Sequence, residues 1–295
     1  MSADGGAPPC APPDRTPHRP RLALPAGACD THAHICGPAA RYAYSPDRIY
    51  TPPDALLTDY RAMLEALRME RCVLVQPSVY GVDNAAMLDA MAALGPRCRG
   101  VAVVDGAVTK DELARLHEAG VRGVRLNLVD VRSPTGAVPL DDARALAARV
   151  APMGWHVELL IHADDYPDFD VMFADFPADI VLGHLGYMRP GKGVDDPGFA
   201  ALLRLLEGGR CWVKLTGPYR ISAGDLPYAD ILPHARALAD AAPDRILWGS
   251  DWPHVMVKKA MPNDGDLCDL LAGWIPDEGA RERVLVHNPA ALYGF

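Results

Sequence analysis

From about residue 28 onward, short apolar runs alternate with longer stretches in which apolar positions recur at helical spacing. The short runs are "ACDTHAHI" (28–35), "CVLVQPS" (72–78), "GVAVVD" (100–105), "GVRLNLV" (123–129), "HVELLIHA" (156–163), "DIVLGHLG" (179–186), "CWVKLTG" (211–217) and "RILWGSD" (245–251), which predicts eight strands. Helical periodicity predicts helices over 56–69, 84–94, 109–120, 140–154, 166–176, 197–209 and 228–243, with a last one over 277–294. Several of these begin after Asp, Thr or Asn and end at Gly or Pro, as capping requires. Strands that are apolar almost throughout and alternate with helices form a parallel sheet buried on both faces. Eight such units imply an α/β fold, a closed (β/α)₈ TIM barrel in a single domain. The competing arrangement is an open doubly wound sheet, but no GxGxxG motif follows the first strand. Segments 36–56 and 252–277 read as long loops after the first and eighth strands. They lie at the end of the barrel where substrates bind, and suggest a lid.

Composition narrows the setting. The chain has 295 residues, of which 49% are hydrophobic and 23% charged, with a net charge of −9. No Lys/Arg cluster occurs, so nucleic acid and anionic membrane surfaces are not the expected partners. No apolar run approaches the ~18 residues of a membrane span. Seven cysteines, an odd number without a CxxC pair, read as reduced, packed thiols in a cytoplasmic protein. Residues 1–22, rich in Pro, Ala and Gly and without a signal-peptide core, read as a flexible N-terminal tail; the barrel occupies 23–295. Oligomerisation is left open.

Polar residues at the C-terminal ends of the apolar strands carry the candidate chemistry. The first strand ends in His32 and His34, whose spacing of two puts both imidazoles on one face. The fifth ends in His162, with Glu158 earlier on the same face, the sixth in His184 and the eighth in Asp251. A single histidine in a strand is most often structural. Four histidines and an aspartate converging on one barrel mouth offer nitrogen and oxygen ligands for zinc or a similar ion, and a general base in Asp251.

HxH after the first strand, His184 after the sixth and "WGSDWPH" after the eighth resemble the amidohydrolase superfamily, in its amidohydrolase-2 branch. "THAHICGPAARYAYSPDRIYTP", "VQPSVYGVDNAAMLDA", "LHEAGVRGVRLNLV", "PDRILWGSDWPH" and "NPAALYGF" are similar to the 2-pyrone-4,6-dicarboxylate lactonase family, over nearly the whole chain from about Ala28. The resemblance implies hydrolysis of the lactone ring of a small acidic molecule. Asp251 would activate water, and His32, His34 and His184 would polarise the carbonyl. Tyr50, Arg125 and Arg220 match groups that hold substrate carboxylates, and Ser78 falls where a hydroxyl-bearing stretch lies. Other reactions compatible with the scaffold are lactone isomerisation and decarboxylation.

Departures from the family pattern bear on the substrate. After the fourth strand the family has a further arginine where this chain reads "LVDVR", with Asp130 intruding and Arg132 one position late. Tyr187 stands where the motif has arginine, and Leu160 where it has tyrosine. Arg189 could substitute for the missing arginine from another angle. The expected substrate is therefore a related lactone with fewer or differently placed anionic groups, of muconolactone or sugar-acid type. The metal stays open. The dicarboxylate lactonases are understood to work without one, whereas His32, His34, His162 and Asp251 could form a mononuclear zinc or manganese site. Cys36 is not expected to be a ligand. Asp83 and Asn84 read as a helix cap, His254 as loop wall and His287 as structural.

Overall fold

A computed structural model describes residues 6–129 and 139–295. Eight strands appear where the apolar runs place them: β1 (Cys29–Ala33), β2 (Arg71–Val75), β3 (Cys98–Ala102), β4 (Val121–Asn127), β5 (His156–Leu160), β6 (Ile180–Leu182), β7 (Cys211–Leu215) and β8 (Ile246–Trp248). All pair in parallel, in the sequential order β1 to β8. The remaining gap is bridged beyond β8: Thr31 Oγ1 donates to the Trp248 carbonyl at 2.8 Å, Asp251 N to His32 O at 2.8 Å, and His34 N to Trp252 O at 2.8 Å. The sheet is thus a nearly closed barrel, and the open doubly wound arrangement is excluded.

Helices α1 (Leu57–Leu67), α2 (Ala85–Leu94), α3 (Lys110–Glu118), α4 (Leu140–Val150), α5 (Phe169–Met172), α6 (Pro197–Glu207) and α7 (Leu232–Ala241) fill the connections. Capping explains several starts. Thr109 accepts from Glu112 N ahead of α3, and Asp196 accepts from Gly198 N ahead of α6, with Pro197 as the first helical residue. At α2 the capping oxygen belongs to Asp83, which accepts from Ala85 N, while the Asn84 side chain pairs with the backbone of Val103.

Three features differ from the sequence expectations. The segment after β8 is not all loop: Asn263 caps a helix, α8 (Asp264–Trp274). Only one turn, α5, forms within 166–176, where Phe169, Phe173 and Phe176 pack on one another between Pro167 and Pro177. The described part of the expected tail lies along the barrel, making contacts that a free tail would not. Cys10 N donates to Thr51 O at 2.9 Å, Thr51 N to Pro8 O at 2.8 Å, and Leu22 N to Asp269 Oδ1 at 2.8 Å.

Two apolar clusters divide the work of the core. The larger lies between sheet and helices. The smaller fills the barrel floor with Cys29, Val73, Val101, Val181 and Leu247, beneath Tyr293 from the C-terminal stretch of α9 (Glu278–Glu282), a π turn (Arg283–His287) and α10 (Asn288–Tyr293). Above that floor the interior turns polar. All seven cysteines are free thiols, and among the described residues no helix is long and apolar enough to cross a membrane.

Candidate active site

Four groups expected at the barrel mouth meet there. His32 Nε2 lies 3.7 Å from Asp251 Oδ1, His34 Nε2 lies 4.0 Å from the same oxygen, and His184 Nδ1 lies 3.9 Å from Asp251 Oδ2. All four side chains are buried. The register of β1 shifts between Asp30 and Ala33, yet the His32 and His34 rings stay together, with centroids 5.0 Å apart. Asp30 anchors the turn, accepting from His32 N, Ser250 N, Ser250 Oγ and Tyr60 Oη.

The loops reach this geometry through unusual backbone. His184 (φ 52°) and Asp251 (φ 65°) both adopt the left-handed region, as do Leu185, Tyr187, His254 and Met256. Such conformations cost non-glycine residues of order 1–3 kcal/mol each and gather where function demands them. Gly217 makes room for the meeting: a Cβ there would come within 2.7 Å of His184 Nδ1 and 2.9 Å of Asp251 Oδ2.

The two oxygens of Asp251 differ. Oδ2 accepts from Tyr219 Oη at 2.5 Å and Arg220 Nε at 2.6 Å. Oδ1 is buried without a hydrogen-bond partner, as is His32 Nε2. Burial alone would raise the Asp251 carboxyl, but the Arg220 guanidinium and the neighbouring imidazoles outweigh it and hold the group well below the carboxylate range. Burial drives His34 and His184 well below the usual imidazole range, so both are neutral at pH 7. His34 Nδ1 is 2.7 Å from the Val75 carbonyl, to which it can only donate, so its Nε2 presents a lone pair to the cluster.

Behind these groups lie Lys214 and Tyr219, which the sequence did not single out, with Glu158 and His254, to which it gave no part in the site. Lys214 Nζ donates to Glu158 Oε2 at 2.6 Å and sits 3.3 Å from His32 Nδ1, which is also 3.3 Å from Glu158 Oε1. Burial would raise the Glu158 carboxyl, but Lys214 overcomes it and keeps the acid ionised. Tyr219 Oη also lies 3.0 Å from His254 Nδ1, and His254 Nε2 lies 3.1 Å from Asp264 Oδ1 on α8. His254, expected as loop wall, is thus a fully buried link in a chain that runs from α8 to Asp251. A charged residue inside an apolar strand, as in "CWVKL", was the signal available for Lys214.

A cavity of about 380 Å³ opens above Asp251. Every residue expected to bind substrate lines it: Tyr50, Ser78, Arg125, Tyr187 and Arg220, with Leu160 beside them. Two expectations are corrected. His162 does not join the cluster, because β5 ends at Leu160 and the ring turns to stack on Tyr187, placing Nδ1 2.7 Å from the Tyr187 carbonyl. Arg189 does not serve the cavity, because Asp164 and Asp165 hold its guanidinium at 2.6–2.7 Å. Asp130 and Arg132 lie outside the described residues.

Among the described residues the ligand atoms of His32, His34 and Asp251 lie within 4.8 Å of one another. Two imidazoles and a carboxylate, with Asp251 Oδ1 and His32 Nε2 unpartnered between them, are a donor set that fits a divalent cation.

The amidohydrolase family pattern matches residues 29–295. A 2-pyrone-4,6-dicarboxylate hydrolase of Comamonas testosteroni is 38% identical over 286 residues, covering 94% of this chain and 93% of that protein. A 4-sulfomuconolactone hydrolase of Rhizobium radiobacter is 38% identical over 291 residues, covering 98% and 97%. The crystal structure of a probable 2-pyrone-4,6-dicarboxylic acid hydrolase from Acinetobacter baumannii with citric acid bound superposes with a TM-score of 0.79 at 29% identity, covering 91% of this chain and 100% of that one.

Proposed function

The chain belongs to the amidohydrolase family, and from that premise we propose that it hydrolyses the lactone ring of a small acidic substrate at Asp251. The observation that carries this reading is the convergence of His32, His34, His184 and Asp251 beneath a cavity bearing Arg125 and Arg220. The relatives hydrolyse pyrone and muconolactone rings, which supports a substrate of that kind.

The two carboxylate oxygens divide the labour. Oδ2 is fixed by Tyr219 and Arg220, which leaves Oδ1 as the proton acceptor. Water held between Oδ1 and the His34 lone pair loses a proton to Asp251 as its oxygen attacks the lactone carbonyl carbon. The tetrahedral oxyanion collapses, the ring carbon–oxygen bond breaks, and Asp251 returns the proton to the departing ring oxygen. One water is consumed and one hydroxy acid (or its keto tautomer) forms. Arg125, with Nη1 on the Gln76 carbonyl at 3.1 Å and a buried Nε without a partner, is placed to hold a substrate carboxylate. His32, His34 and Asp251 would hold one zinc or manganese ion, which supplies Lewis acidity when bound.

The test is proton release from a panel of acidic lactones, with and without chelator, alongside metal analysis of the purified protein. Acid release by the wild type, lost by about 10²-fold or more in Asp251→Asn, is the expected result. A rearranged lactone formed without acid, carbon dioxide release, or no turnover overturns hydrolysis. Loss of activity on chelation, restored by zinc or manganese, supports the ion.

A further inference from the structure

Four cationic side chains line the cavity: Arg125, Arg220, Lys258 and Lys259. They are not equivalent. Through Nε, Arg220 pairs with Asp251, the one acidic side chain among the lining residues. Lys259 Nζ donates to the carbonyl of Ser222 at 2.8 Å and to that of Gly224, tying the loop after β8 to the loop after β7. Lys258 is exposed, and its ammonium makes no ion pair or hydrogen bond among the described residues. Arg189 is closed off by its two aspartates.

With Asp251 offset by Arg220 and the Lys259 ammonium tied to two loop carbonyls, Arg125 on the cavity floor and Lys258 on its rim carry charge that no acidic side chain among the described residues balances. Lys258 follows Val255, Met256 and Val257, which also line the wall. Its backbone neighbour Lys259 is anchored, so the loop holds Lys258 at the opening while the long side chain stays adjustable.

We propose that Lys258 is a specificity-determining residue that recognises a second oxyanion group, carboxylate or sulfonate, on a lactone whose first acid is held by Arg125. This rests on the lactone-hydrolase reading for its substrate, but not for its binding prediction. A diacid satisfies both cations, whereas a monoacid leaves the rim ammonium in water and gains nothing from it. A rim charge contributes modestly and is weakened by salt.

Calorimetric titration tests it without turnover, using benzene-1,3-dicarboxylate and benzoate as unreactive probes. The wild type should bind the dicarboxylate more tightly. Lys258→Met should weaken the dicarboxylate by about five- to tenfold and leave benzoate unchanged, and Lys258→Arg should restore the preference. Equal weakening of both probes, an unchanged dicarboxylate affinity, or no dicarboxylate binding by the wild type overturns the proposal. A wild type that turns over no lactone, but whose dicarboxylate preference depends on Lys258, overturns the reaction and upholds the anion site.

Discussion

Lys214 and Glu158 form a buried ion pair directly beneath His32. Neither touches the cavity, so their contribution is to hold His32 and to neutralise each other in a place water cannot reach. Removing one partner of such a pair leaves an uncompensated buried charge, at a cost of roughly 3–5 kcal/mol, whereas replacing both with apolar residues of similar volume is often neutral. Lys214→Met should therefore lower the urea midpoint sharply, and Lys214→Met with Glu158→Leu should recover most of the loss. A double variant no more stable than the single one would show that the pair is not an independent unit. In activity the double variant should stay impaired, because His32 Nδ1 loses both neighbours. The pair was hard to read from the chain. A lysine in "CWVKL" carries no meaning until Glu158, 56 residues earlier, is known to lie across the barrel from it. His32, His34, His184 and Asp251 were legible as a set because each stands in or just after an apolar run at the C-terminal end of the barrel, where the loops of the mouth begin. His162 was misread because it occupies a like position after β5, and nothing in the strand pattern reports that its ring turns aside to stack on Tyr187.

At the scale of elements, the strands were legible because a parallel strand buried on both faces is apolar throughout. Helix α8 was not. "DGDLCDLLAGW" carries two Gly and three Asp in eleven residues, and its stability comes from the Asn263 cap and from packing by Leu267, Cys268 and Leu271. The turns that carry the chemistry depend on local backbone that no periodicity reports. Gly217 sits at φ 57° in the β7 turn, pressed against His184 and Asp251. Alanine there adds strain of about 1–2 kcal/mol and a methyl that must displace one of the two groups. Gly217→Ala should cut turnover by at least tenfold and lower the melting temperature by a few degrees, leaving the fold intact. Unchanged kinetics would show that the turn yields without moving Asp251. Tyr219 and Arg220 follow in the same turn, so a shift at Gly217 would also disturb both donors to Oδ2.

Over the whole molecule, the barrel leaves its mouth to be finished by segments far apart in sequence. The N-terminal arm is one of them. Pro8 and Cys10 pair with Thr51, next to cavity-lining Tyr50. Further along, Asn263 Nδ2 donates to Asp14 Oδ2 at 2.8 Å, and Asp269 receives Arg21 and Leu22 at the flank of α8. The described part of the arm therefore buttresses the loops after β1 and β8 from outside and adds no residue to the cavity lining. Its composition, rich in Pro and poor in regular hydrogen bonding, gave no sign of this, since proline-rich chain lies on a surface as readily as it hangs free. A variant lacking residues 1–22 should keep the barrel, because the arm supplies no strand of the sheet. Losing several hydrogen bonds of about 1 kcal/mol each should lower the melting temperature by several degrees. The sharper consequence is kinetic: with Tyr50 unsupported, KM for the acidic lactone should rise several-fold more than kcat falls, because the arm's contacts fall at Thr51, Asp54, Asn263 and Asp269, away from the residues His34, His184 and Asp251 themselves. Steady-state kinetics of the truncated and full-length proteins on one lactone would decide it. An unchanged KM would mean that the loops hold their shape alone and that the arm only shields the outside of the barrel.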